Sequence, residues 1–154
     1  MATYSQYQPK KNDNFKTPIE VWKNIEHLIP KDKKIWCPFY FNGDHTLKEL
    51  GYDIIHENED FFKNNKGDII IDNPPFSIKK EILKYCLEID KPFILIMPSS
   101  TINYQYFRSF KDKIQIIIPP KRYNFMEDKK SSATFDTLYF CYKIGLENDI
   151  TWLS

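Results

Sequence analysis

At 154 residues the chain is long enough for one layered core and too short for two. Its 22 basic and 21 acidic residues leave a net charge of +1, so it is no polycation, and any nucleic-acid contact must come from a local basic patch. The composition also points away from a zinc framework, a membrane span and a signal peptide: the three cysteines (Cys37, Cys86, Cys141) lie far apart without CxxC pairing, and no apolar stretch approaches ~20 residues.

The expectation is a soluble, cytoplasmic protein with reduced thiols. Residues 1–14 are polar and predict a flexible tail, followed by one domain over 15–154. Thr17-Pro18-Ile19-Glu20 predicts a helix start, with Thr17 as N-cap, Pro18 at the first position and Glu20 completing a capping box. Ile19, Trp22, Ile25 and Leu28 carry the apolar stripe of that helix. Strands are predicted at Lys33–Phe39, Asp53–Glu57, Asp68–Asp72, Pro92–Met97 and Lys113–Ile118, and a late aromatic strand within Thr134–Ile144. Helices are predicted near His45–Leu50, after a Ser77 cap with Ile78, Ile82, Tyr85 and Ile89 on one face, and over Tyr104–Phe110.

Alternating strands and helices imply an α/β domain with a mostly parallel sheet, helices on both faces and an antiparallel last strand. The runs IIID, FILIM and IQIII are continuously apolar, as a sheet covered on both faces requires. Ligands of such sheets bind beyond the carboxyl ends of the strands. The segments that follow the strands are therefore the candidates for chemistry.

The most informative of these is Asn73-Pro74-Pro75-Phe76, at the end of a hydrophobic strand. Two prolines fix the backbone and donate no hydrogen bonds, leaving the carbonyls of Asn73 and Pro74 as acceptors. The Asn73 side-chain oxygen is a further acceptor, and Phe76 supplies a flat apolar face. Converging acceptors beside an aromatic ring suit a planar molecule with an amino group, such as adenine. The adenine amine is a poor nucleophile because its lone pair is delocalised into the ring. Gripping both of its hydrogens favours a pyramidal nitrogen, which must then meet its electrophile in line at ~3–3.5 Å.

With this motif, the chain from about Phe15 to Tyr142 resembles the S-adenosylmethionine-dependent amino methyltransferases, most closely the small adenine-N6 DNA methyltransferases. The resemblance implies a Rossmann-like domain, S-adenosyl-L-methionine as cofactor and an adenine flipped out of the duplex. It makes Asn73, Pro74, Pro75 and Phe76 the catalytic motif, with Asn73 also touching the cofactor. Phe15, Thr17 and Pro18 resemble the segment that contacts the methionine end of the cofactor. Glu57 would hold the ribose hydroxyls, and Asp60-Phe61-Phe62 resembles the segment that binds the cofactor's adenine. The first loop, Cys37-Pro38-Phe39-Tyr40-Phe41-Asn42-Gly43, keeps Pro38, Phe39 and Gly43 of the family pattern. It departs from that pattern at Cys37, where an acid is usual, and at Phe41, where a glycine is usual.

Pro119 to Phe125 resembles the family's late aromatic segment, in which Tyr123 and Phe125 would pack on the target base. Lys121, Arg122, Lys129 and Lys130 would meet phosphates, with Ser131, Ser132 and Thr134 adding hydroxyl contacts. Lys79 and Lys80 read as the wet face of a helix, and His27, His45 and His56 show no ligand spacing. The implied partner is DNA, with RNA as an option and a further protein as a possible source of sequence specificity. Two other readings stay open: transfer to RNA adenine or a protein glutamine amide, and a silent fold that only binds.

Overall fold

The continuous apolar runs become the middle of a seven-stranded sheet. Its strands are β1 (Ile35–Trp36), β2 (Ile54–Ile55), β3 (Ile69–Asp72), β4 (Phe93–Pro98), β5 (Gln115–Ile118), β6 (Thr137–Tyr142) and β7 (Ile150–Trp152). The α-helices are α1 (Ile19–Lys23), α2 (Thr46–Glu49) and α3 (Lys79–Glu88), joined by loops and several 3₁₀ turns. The computed structural model describes residues 16–40, 44–125 and 136–154, so the tail expected at 1–14 lies outside the described residues.

Across the sheet the order is β2-β1-β3-β4-β6-β5-β7. Neighbours are parallel except at β6, which runs antiparallel to both β4 and β5. This mixed, mostly parallel α/β sheet is compatible with a Rossmann-like arrangement. The expected late antiparallel strand is β6. The short β7 that follows, parallel to β5, gave no sequence signal because it is only three residues long and half exposed.

Alternate residues of a strand face opposite sides of the sheet, and β3 shows what that does here. Ile70 joins Trp36, Leu95 and Phe140 under Ile82, Leu83 and Cys86 of α3. Ile69 and Ile71 join Ile35, Ile94 and Tyr139 on the other face, under Val21 and Trp22 of α1 and Leu47 of α2. Both faces are covered, which is why the central strands carry no polar alternation. None of the helices among the described residues is long and apolar enough to cross a membrane.

Several elements are shorter than their sequence pattern. β1 keeps only two ladder residues because the chain after Trp36 leaves the sheet, and the Phe39 amide turns to the Asp72 carboxylate. The helix expected over Tyr104–Phe110 is a 3₁₀ segment, Gln105–Phe110. Crowded aromatic side chains lose rotamer freedom in an α-helix. Here Phe107 is buried, while Tyr104 and Tyr106 stack on each other. The 3₁₀ turn Phe76–Ile78 precedes α3, so Ser77 is not its N-cap.

Gly67 fixes the approach of β3 to β1. Its φ is +65°, and a Cβ there would lie 2.9 Å from the Lys34 carbonyl oxygen and 3.2 Å from Trp36 Cβ. Gly67→Ala is expected to lower stability by at least about 1–3 kcal/mol through backbone strain, measured as a shift in the urea midpoint. A midpoint equal to the parent's would show that the two strands can separate without loss.

Candidate functional site

From β1 the chain moves to one side to build β2 and returns on the other side to build β3. The loops leaving β1 and β3 therefore diverge and open a crevice at their carboxyl ends. One side chain organises that crevice. Asp72 Oδ2 accepts from the Phe39 amide at 3.0 Å, and Asp72 Oδ1 accepts from the Asn73 amide at 2.8 Å and from His45 Nε2 at 2.9 Å. The His45 and Asp72 side chains are only 8% and 4% exposed. His45 Nδ1 accepts from the Leu47 amide and so caps α2, which places the ring hydrogen on Nε2, facing Asp72. A single buried carboxylate thus ties together the loop after β1, the start of α2 and the first residue of the motif.

Asn73 is where this geometry leads. Its Nδ2 donates to Thr17 Oγ1 at 3.0 Å, while Oδ1 is buried and has no hydrogen-bond partner among the described residues. A Thr hydroxyl can donate as well as accept, so in either amide orientation one polar atom of Asn73 is left over. With Nδ2 on Thr17, that atom is the acceptor. The Pro74 carbonyl likewise accepts no hydrogen bond among the described residues. Buried polar groups are normally paired, and one left unpaired costs about 1–3 kcal/mol. The tip of β3 therefore carries an unmet demand for donors beside the half-buried Phe76 ring.

Thr17 does not cap α1, as the sequence suggested. The N-cap is Pro18, without a side-chain bond, and the Thr17 hydroxyl is engaged by Asn73 instead. Thr17 and Pro18 line a cleft of about 290 Å³ together with Thr46, Glu49, Asn124 and Phe125. Part of the expected cofactor segment and part of the expected substrate segment thus meet next to Asn73.

Other expected residues gather on the same rim. Pro38, Phe39 and Phe61 are buried, and the Phe39 and Phe61 rings lie 5.0 Å apart. Asp60 Oδ1 caps the turn Phe61–Lys63 by accepting from the Phe62 amide at 3.0 Å. Glu57 is drawn outward. Its side chain is 61% exposed and shares Lys66 with Glu59, so it does not line the crevice as the ribose ligand was expected to. The tip of β2 instead presents His56, whose Nδ1 bonds the Cys37 carbonyl at 2.8 Å and whose Nε2 is buried without a partner among the described residues.

The late segment also differs from expectation. Tyr123 is fully buried, its hydroxyl bonded to Asn24 Nδ2 and Tyr139, and Phe125 is 3% exposed in the same core. Neither ring offers a face on which a base could stack. Lys121 pairs with Glu20 and Arg122 with Asp136, so their charges are met within the chain. The local sequence, basic residues between aromatics, does not reveal that these rings point inward. Phe15, Phe41, Asn42, Gly43, Lys129, Lys130, Ser131, Ser132 and Thr134 lie outside the described residues.

Cys37, which stands where an acid was expected, has its sulfur within 4.8 Å of ligand atoms of His45 and Asp72. The three atoms are already committed. Cys37 Sγ donates to the Ile71 carbonyl at 3.2 Å, and burial, with the Asp72 charge beside it, holds the thiol well above its usual range. His45 would have to surrender either its cap or its bond to Asp72 to ligate an ion. The cluster is better described as a hydrogen-bonded brace.

No protein-family model matches the chain, and no curated protein is significantly similar to it. Fold and site together define a mixed α/β protein whose β3 tip, at the switch point of the sheet, holds a buried acceptor without a partner among the described residues.

Proposed function

We propose that the chain transfers a methyl group from S-adenosyl-L-methionine to the exocyclic N6 amine of adenine in DNA. The observation that carries this reading is Asn73 Oδ1, a buried acceptor without a partner among the described residues, on a side chain held by Thr17 and next in the chain to the Pro74 carbonyl. An amine with two hydrogens meets both acceptors at once. Asn73 Oδ1 and the Pro74 carbonyl would hold those hydrogens, and Phe76 would stack on the ring that bears the amine.

The cofactor would supply an electrophilic methyl on a positively charged sulfur. The rim suits such a group, since the orphaned acceptor offers a dipole to a cation. Thr17 and Pro18 would meet its amino-acid end and Asp60 its base, while Phe39 and Phe61 back the rim from the core. His56, in the place intended for Glu57, adds a buried acceptor for a hydroxyl donor. The methylated amine would carry the positive charge that had been on the cofactor and would release one proton to water. No strong general base is therefore required, and Asn73 need only orient the amine.

The test is product analysis after incubation with labelled cofactor and a mixed pool of DNA and RNA oligonucleotides. 6-Methyladenine in DNA supports the reading; label confined to RNA or protein, or no transfer at all, refutes it. Asp60→Ala is expected to weaken cofactor binding at least about tenfold in calorimetric titration, as loss of a hydrogen bond to a charged acceptor does. Asp60→Asn, which keeps an acceptor for the Phe62 amide, separates this effect from loss of the turn cap.

A further inference from the structure

α3 opens with Lys79 and Lys80, immediately after the Asn73 motif, and neither pairs with a carboxylate among the described residues. Lys79 Nζ instead lies 4.5 Å from the centre of the Tyr104 ring and 3.4 Å from the Phe76 carbonyl oxygen. Lys80 Nζ lies 5.7 Å from the centre of the Tyr106 ring. The two tyrosines stack on each other at 5.5 Å and 23°, with Tyr104 46% exposed. Ile102, 42% exposed, and Arg108, also exposed, continue the strip.

This strip belongs to the motif's end of the sheet. It is built from the start of α3 and from the 3₁₀ segments that follow the carboxyl end of β4, and Lys79 touches the motif itself. Burial, aided by Tyr104 and Glu81, pushes the Tyr106 phenol up to about 12, so it adds no negative charge near neutral pH. Ammonium groups without acidic partners, interleaved with an exposed ring stack, are complementary to a chain of phosphates that carries unpaired bases. A duplex offers the phosphates but keeps its bases stacked inside.

We infer that the Lys79–Tyr104 and Lys80–Tyr106 pairs form a docking track for a single-stranded nucleic acid, in which the ammonium groups swing from the rings to phosphates and the Tyr104 face that Lys79 vacates takes a base. The track delivers the strand to the Asn73 rim, and in that respect it rests on the reading given under Proposed function. Binding to the track does not depend on turnover. The buried Tyr123 and Phe125 leave the stacking role open, and Tyr104 can fill it.

Fluorescence anisotropy of the full chain with labelled single-stranded DNA, single-stranded RNA and duplex DNA of equal length tests the inference. Single strands of either sugar are expected to bind more tightly than duplex. Tyr104→Ala is expected to weaken single-strand binding at least about fivefold, and Tyr104→Phe to retain it, because a base stacks on the ring face. Lys79→Gln and Lys80→Gln are each expected to reduce the slope of log affinity against log salt by about 0.7. Duplex bound as tightly as single strands, or Tyr104→Ala binding like the parent, overturns the track even if Asn73 proves essential for transfer. Conversely, if Tyr104→Ala weakens binding while Asn73→Ala leaves transfer untouched, the track stands and the role given to Asn73 falls.

Discussion

An Asn73→Ala protein is expected to fold, to bind S-adenosyl-L-methionine, and to lose at least about a hundredfold in methyl-transfer rate, as happens when a preorganised polar group at a reacting centre is removed. The stability side of this prediction is equally specific. The Asn73 side chain contributes one hydrogen bond, to Thr17, a net gain of about 1 kcal/mol. Against it stands the cost of burying Oδ1 without a donor. The two terms are of similar size, so the variant should unfold within about 1 kcal/mol of the parent, on either side. A residue kept for structure would show the opposite pattern. Urea unfolding and a single-turnover assay on the same preparation distinguish the two. Asn73→Ala with normal turnover, or with a loss of several kcal/mol, would remove Asn73 from the proposed role.

Asp72→Ala should behave in the reverse way, with a large effect on stability that needs no assay of chemistry to see. Its carboxylate accepts from Phe39, Asn73 and His45, and almost none of it meets solvent. Truncation strands those three buried donors, and each buried donor left without a partner costs about 1–3 kcal/mol. A domain of this size has about 5–15 kcal/mol in all, so the variant should be marginal. Asp72→Asn keeps one acceptor but turns an NH₂ toward a donor, and should fall between the two. A loss below about 1 kcal/mol for Asp72→Ala would mean that water replaces the carboxylate and that the brace is not structural.

The opposed outcomes at adjacent positions clarify what the sequence could reveal. IIID, FILIM and IQIII were readable as central strands because burial on both faces leaves a continuous apolar signature. Asn73 was readable because prolines leave few alternatives for the local backbone. The His45–Asp72 pair was not, since its members are 27 residues apart and meet only when α2 packs against the tip of β3. Thr17 has two possible uses for one hydroxyl, capping α1 or holding Asn73, and a separation of 56 positions hides which prevails. Tyr123 and Phe125 show the same limit from the other side. Basic neighbours suggested rings turned toward a bound base, yet the Tyr123 hydroxyl finds Asn24 and Tyr139 in the interior.

The strict two-sided filling of β3 also makes that strand a measuring rod. Ile69 and Ile71 serve one core and Ile70 the other. Adding or deleting a single residue between Ile69 and Asn73 would send each isoleucine to the wrong side and swing the amide away from Thr17. Descendants of this gene must therefore keep the count from Ile69 to Phe76 unchanged.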